Sequence, residues 1–251
     1  MKLVCLVLVA AGLWAQAPVF DVASVKASQS TRNGSSIMNN PGRFQTENTT
    51  LARLIAFALP AQDFQVVGGP GWIRDARWDI VASFERAEGD TKDQKERILR
   101  IRERVMQLLV ERFGLELRQE EREMPVYSLG VDKGGSKMKS AEPLGNTNMN
   151  GGAAGSTLTG KGMTMARLAE TLSGVAKRPV LDETGLAGAF DLELRYSLDM
   201  ETPEGGAAPK DVTEFPALFT AVKEQLGLRL TGRKGSAPVW VVVKAEKPGE
   251  N

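Results

Sequence analysis

The chain of 251 residues has no histidine, one cysteine and two tyrosines. Without imidazole there is no Ser-His-Asp or Cys-His nucleophile system, and no zinc or iron site built on histidine. The single thiol, Cys5, lies in an apolar leader. Disulfides within the chain therefore cannot hold the fold, and the core must supply its stability. An excess of one charge is also missing. The 32 basic residues face 31 acidic ones, for a net charge of +1. That argues against a general polyanion binder, and no nucleic-acid partner is expected. Beyond the leader no apolar run approaches transmembrane length, so no stable membrane insertion is expected once the leader is removed.

What is present describes a folded, exported chain. Apolar residues make up 42% and charged residues 25%, which fits a globular protein rather than a disordered one. Met1-Lys2 is followed by the apolar run Leu3 to Trp14 and then Ala15-Gln16-Ala17-Pro18. A positive start, a short apolar stretch and small residues after it form a secretory signal peptide. Pro18 disfavours cleavage after Ala17, so residues 1–15 are read as the signal. Cys5 lies too early to accept a lipid. The mature chain is expected in the periplasm or outside the cell.

Periodicity then predicts the elements. Pro18 to Ala27 alternates as a strand, and Arg43 to Asn48 forms a second short one. Leu51, Leu54, Ile55, Ala58 and Leu59 make one face of a helix capped by Thr49 or Thr50 and stopped by Pro60. Phe64 to Val67 and Arg77 to Glu85 read as strands joined by a tight turn at Gly68-Gly69-Pro70-Gly71. Asp93 to Phe113 reads as a long helix with Ile98, Ile101, Val105, Leu108, Leu109 and Phe113 buried. Two strands, Leu115 to Arg122 and Val126 to Asp132, flank Met124-Pro125. Residues 133–161, rich in Gly, Asn, Ser and Lys, read as a linker.

After residue 161 the order returns. Thr164-Met165-Ala166-Arg167-Leu168 repeats Thr50-Leu51-Ala52-Arg53-Leu54, 114 positions on. Phe190-Asp191-Leu192 repeats Trp78-Asp79-Ile80, 112 positions on. Gly227-Leu228 repeats Gly114-Leu115 and Pro238-Val239-Trp240 repeats Pro125-Val126-Tyr127, both 113 positions on. Residues 203–210 read as a loop and Phe215 to Leu226 as a second long helix. This predicts an α+β protein, a tandem duplication of a β-α-β-β-α-β-β unit with helices on one face of a mixed or antiparallel sheet. The first lobe spans 18–132 and the second 162–247.

Few residues are placed for chemistry. Asp79 and Asp191 are equivalent acids beside an aromatic, and paired carboxylates do general acid-base work. Strand alternation alone puts both on the solvent side, pairing locally with Arg77 or Arg195, and that structural role is the expectation. Arg53 and Arg167 sit in the first turns of equivalent helices, where backbone N–H groups favour anions. A surface arginine bridging to a nearby acid is the expected role. Trp72, after the glycine turn, is a further binding candidate. The turn lacks the Lys-Ser/Thr of a phosphate loop. Arg100, Arg102 and Arg104 are spread around a helix axis as a solvated face. Lys139-Ser140 lacks the S-x-x-K setting of a Ser-Lys hydrolase. No metal site and no cofactor are expected.

Many ordered motifs nevertheless resemble one family. They include FDVASVK, TLARLIAFAL, FQVVGGPGW, RWDIVASF, MQLLVERFGLEL, PVYSLGVDKGGSKMK, MTMARLAETLS, PVLDETGLAGAFDLEL and LFTAVKEQLGLRL. Together they resemble the soil-bacterial, acidobacterial-type exported family known as domain of unknown function 3738. That resemblance implies export and no established activity. Some of its members are joined to membrane peptidases of the antibiotic-sensor type, which implies envelope sensing. The helix-strand-strand-helix-strand order of each lobe is also similar to the short N-terminal domain of secretins and TonB-dependent receptors. The leading expectation is a non-catalytic binding or interaction module of the envelope, with a protein or peptide partner. The alternative is an extracytoplasmic hydrolase using Asp79 and Asp191, with Glu183 or Glu193 in support.

Overall fold

A computed structural model describes residues 18–31, 34–85, 94–143, 146–152, 155–197 and 215–249. The signal peptide read over 1–15 and the loop read over 203–210 lie outside the described residues. The protein is α+β, with more strand than helix. It divides into two compact units, residues 1–120 with 239–251, and residues 121–238.

The first unit runs β1 (Val22–Ala27), β2 (Ser36–Asn40), β3 (Arg43–Thr50), α1 (Leu51–Ala58), β4 (Val66–Gly68), α2 (Trp72–Asp75), β5 (Arg77–Ser83) and α3 (Gln94–Phe113). It then enters β6 (Glu116–Val131). Its antiparallel sheet has the order β1-β5-β3-β2. Thr50 starts α1, its hydroxyl accepting from the Arg53 N–H at 3.3 Å. Leu51, Leu54 and Ile55 of α1 and Ile101, Val105, Leu109 and Phe113 of α3 share a core with Phe44, Trp78 and Ile80 of the sheet. The 3.6-residue stripe of each helix and the two-residue alternation of β5 account for that composition. The glycine turn does not run straight into a strand. One helical turn, α2, follows it, with the Ile73 N–H donating to the Pro70 carbonyl.

The second unit runs β7 (Lys139–Ala141), β8 (Asn146–Gly152), β9 (Gly155–Thr164), α4 (Met165–Ala176), β10 (Val180–Asp182), β11 (Ala189–Tyr196) and α5 (Leu218–Leu226). It then enters β12 (Leu228–Lys244). Its antiparallel sheet has the order β7-β11-β9-β8. Thr164 caps α4 as Thr50 caps α1. Leu158, Met163, Leu168, Leu172, Leu194, Tyr196, Val222 and Leu226 lie in its core.

Three expectations need correction. The stretch 133–161 is not a linker, since it contains β7, β8 and most of β9. Its apolar signal is weak because the inward row of β9 is Ser156, Leu158 and Gly160. A Cβ at Gly160 would lie 3.1 Å from Met163 and 3.2 Å from Leu192, so close packing keeps that position without a side chain.

The strands on either side of Pro125 are one strand, β6. The Tyr127 N–H points toward β10, where it donates to the Pro179 carbonyl. Two residues earlier the nitrogen of Pro125 faces the same way, before β10 begins its pairing at Tyr127. No ladder hydrogen bond is lost there. Leu228–Lys244, which includes Pro238, is likewise one strand, β12. The helix read from Phe215 starts three residues later, at Leu218.

The third difference is the division of the chain. A cut near residues 132–162 separates two consecutive lobes. In the structure the second unit takes Glu121 onward, and the first takes back Val239 onward. In the first unit, β4 pairs in parallel with Trp240–Val242 of β12. In the second, β10 pairs in parallel with Tyr127–Leu129 of β6. Val242 belongs to the first unit's core, and Tyr127 and Leu129 to the second's.

Candidate functional site

The repeated aspartates occupy matching irregularities in the two antiparallel sheets. In β3 the register with β5 shifts between Thr46 and Thr49, so that Glu47 and Asn48 together oppose Asp79. In β9 the register with β11 shifts in the same way, and Lys161 and Gly162 together oppose Asp191. These are β-bulges, whose extra residue leaves a main-chain N–H outside the ladder. Each aspartate takes that N–H. Asp79 accepts from Asn48 N at 2.8 Å, and Asp191 from Gly162 N at 2.9 Å. Asn48 and Gly162 both adopt the left-handed conformation, at φ 52° and 56°. Asparagine and glycine are the residues that enter it most easily.

A lysine accompanies each aspartate on the next strand. Lys26 of β1 is the cross-strand partner of Asp79, and Lys139 of β7 that of Asp191. Lys161 adds a second cation in the second unit, 3.1 Å from Asp191. The Gly162 N–H, followed by Lys161, holds the Asp191 carboxyl below its ordinary range. Lys139 stands out in the sequence only as part of Lys139-Ser140, and neither lysine is linked there to an aspartate. Their signal was present, because Val25-Lys26-Ala27 and Met138-Lys139-Ser140 stand at the same 113-residue spacing.

The other candidate residues have local partners. Glu183 accepts from the Ser128 hydroxyl and pairs with Arg233. Ser128 and then Arg233 hold its carboxyl below the ordinary range. Glu193 pairs with Arg195 at 2.7 Å. A general acid is best matched when its pKa lies near the working pH. Asp191 and Glu183 are shifted the other way, further from neutrality. Arg167 pairs with Glu170 at 2.6 Å, one helical turn along. Arg53 is exposed, and its main-chain N–H takes the Thr50 cap. Trp72 packs against the first unit's core, its ring edge-on to Trp78 with centroids 6.4 Å apart. Among the described residues no group of three or more Asp, Glu, Cys or His is placed to hold a metal ion. No described helix is long and apolar enough to cross a membrane.

The sheet edges differ from one another. Two side chains of α3 reach the main chain at the β1 edge. Arg104 donates to the Val19 carbonyl at 3.1 Å and Arg112 to the Ala23 carbonyl at 3.3 Å. In the second unit β7 covers β11 only as far as Asp191. Further along, Gln225 of α5 takes the place of a strand. Its amide oxygen accepts from Arg195 N at 2.9 Å and its amide nitrogen donates to the Arg195 carbonyl at 2.8 Å. The opposite edges are β2 and β8. Neither strand contains a charged residue or a proline. Each carries an exposed methionine, Met38 at 37% and Met149 at 50%.

Residues 52–245 match the family model described as "Protein of unknown function (DUF3738)". The chain belongs to that family. No curated protein and no solved structure matches it. In this DUF3738 chain the matched span runs from α1 to the end of β12 and so takes in both bulges, with Asp79 and Asp191. It starts after β1 and Lys26.

Proposed function

We propose that this DUF3738 protein is an exported, non-catalytic binding module of the cell envelope that accepts an extended partner segment at a sheet edge. The carrying observation is the contrast between edges. Natural sheets blunt free edges with charge, proline, short length or covering side chains. Here α3 arginines, a short β7 and Gln225 treat one side of each sheet in that way. The β2 and β8 strands carry none of the sequence devices. Strand addition supplies affinity through main-chain hydrogen bonds and specificity through alternate side chains.

The units descend from a tandem duplication, which the matching strand orders and the Lys-Asp-bulge sets support. Export is supported by the leader pattern of residues 1–15. A resemblance in element order to the secretin short N-terminal domain would agree with an interaction role, as analogy.

The test is saturable binding of immobilised mature chain to a solubilised envelope fraction, competed by extended peptides. Asn39→Pro and Met149→Pro, which remove main-chain N–H groups that face the open edges, are expected to abolish capture while leaving the far-UV circular dichroism unchanged. Absence of any saturable partner would sink the proposal.

A further inference from the structure

We propose that β8 pairs with β8 of a second copy of this chain, joining two β7-β11-β9-β8 sheets into one continuous antiparallel sheet. The inference rests on the edge reading above and names one occupant of that edge.

Symmetry favours this pairing. A two-fold axis through an antiparallel strand pair sets residue i against j and j against i. Around Met149 the sequence is a palindrome, Asn148-Met149-Asn150. Centred there, Met149 faces its own copy, and Asn148 faces Asn150 of the other chain, twice. Strand alternation puts Met149 on one face and both asparagines on the other. The register with β9 shows which faces these are. Met149 lies opposite the fully buried Leu158, so two facing methionines would extend the core row. Asn148 and Asn150 lie opposite Thr159 and Thr157, on the outer face. Two amide-to-amide contacts form there without any charge.

The β2 edge does not have this property. Centred on Met38, the same operation sets Ile37 against Asn39, an apolar side chain against an amide. Electrostatics offers no barrier, because β8 is uncharged and the whole chain carries a net charge of only +1. A single strand pair is small beside the interfaces of permanent dimers, so a reversible, concentration-dependent dimer is expected.

Sedimentation velocity over a dilution series tests the proposal, together with cysteine cross-linking in a Cys5→Ser background. The wild type is expected to shift from monomer to dimer as concentration rises. Met149→Lys is expected to stay monomeric with unchanged circular dichroism and melting temperature. Met149→Cys should form an oxidised dimer in high yield, and Asn148→Cys should not, because position 148 faces 150. A wild type that is monomeric throughout would overturn the inference, as would equal cross-linking at 148 and 149. Either result, with envelope capture intact, would leave the binding reading standing and remove only the second copy as its occupant.

Discussion

The Asp191 carboxylate accepts the main-chain N–H of Gly162 across a β-bulge, at 2.9 Å. The same bond joins Asp79 to Asn48 in the first unit, at 2.8 Å. A pair of acids that resembles catalytic carboxylates is thereby assigned a structural task, which is to satisfy the donor that each bulge removes from its ladder.

Replacing Asp79 by alanine therefore leaves the Asn48 N–H without its acceptor. A loss of about 1–2 kcal/mol is expected from one charge-assisted bond. Denaturant unfolding followed by tryptophan fluorescence checks it, since Trp72 and Trp78 lie in the affected core. Asp79→Asn keeps an acceptor oxygen and should cost less.

Gly162 and Asn48 share one backbone conformation, so their residues should be interchangeable in one direction. Gly162→Asn is expected to be nearly neutral. Gly162→Val forces a β-branched residue to φ 56° and should lower the melting temperature clearly. Calorimetry of the two variants side by side gives the answer. Equal melting temperatures would show that the left-handed turn is not maintained in solution.

The pH dependence follows from two depressed carboxyls. Asp191 and Glu183 titrate below their ordinary values of 3.8 and 4.5 in the folded chain. A group with a lowered folded pKa contributes stability above its unfolded pKa, and that contribution is lost as pH falls through the folded value. The thermal midpoint should fall with acid below about pH 4.5, and Asp191→Asn with Glu183→Gln should flatten that limb. A limb of unchanged slope in the double variant would show that these carboxyls are not the source.

Gln225 stands in for a missing strand beside Arg195. Gln225→Ala removes both bonds and should destabilise the second unit by about 1 kcal/mol. It also bares a strand edge, so faster aggregation on storage is expected, measured by light scattering. Gln225→Glu retains the acceptor for Arg195 N but loses the donor, and should fall between.

Ending the chain after Pro238 removes the segment that completes the first unit. Val242 leaves that core and β4 loses its parallel partner. The second unit, residues 121–238, keeps its own core. Limited proteolysis should then digest residues 18–120 and spare 121–238. Protection of both would show that β12 is dispensable to the first unit.

Helices α1, α3 and α4 and strands β5 and β11 were legible in the sequence because their apolar residues keep a strict period. Thr164 marked one helix start at its observed position, and Thr50 was one of two candidates for the other. The strands between 139 and 161 were not legible, because Ser156 and Gly160 fill inward positions without an apolar side chain. Pro125 read as a break, since sequence does not reveal which way an imino nitrogen faces. The aspartates were legible as a repeated pair with a structural role, but their partners, the bulge N–H groups rather than Arg77 or Arg195, were not. A bulge is a fact about the register of two strands 31 residues apart for Asn48 and Asp79, and no local pattern encodes it.

The exchange of strand ends also orders events in time. As the chain is made, every residue of the second unit is available before Val239–Lys244 exist, and the first unit waits for those residues to complete its core. Contacts such as Val66 with Trp240 span most of the sequence, and contacts of that separation form slowly. The first unit to begin emerging is thus the last to be completed. A nascent chain stalled before residue 239 holds one closed unit and one open one.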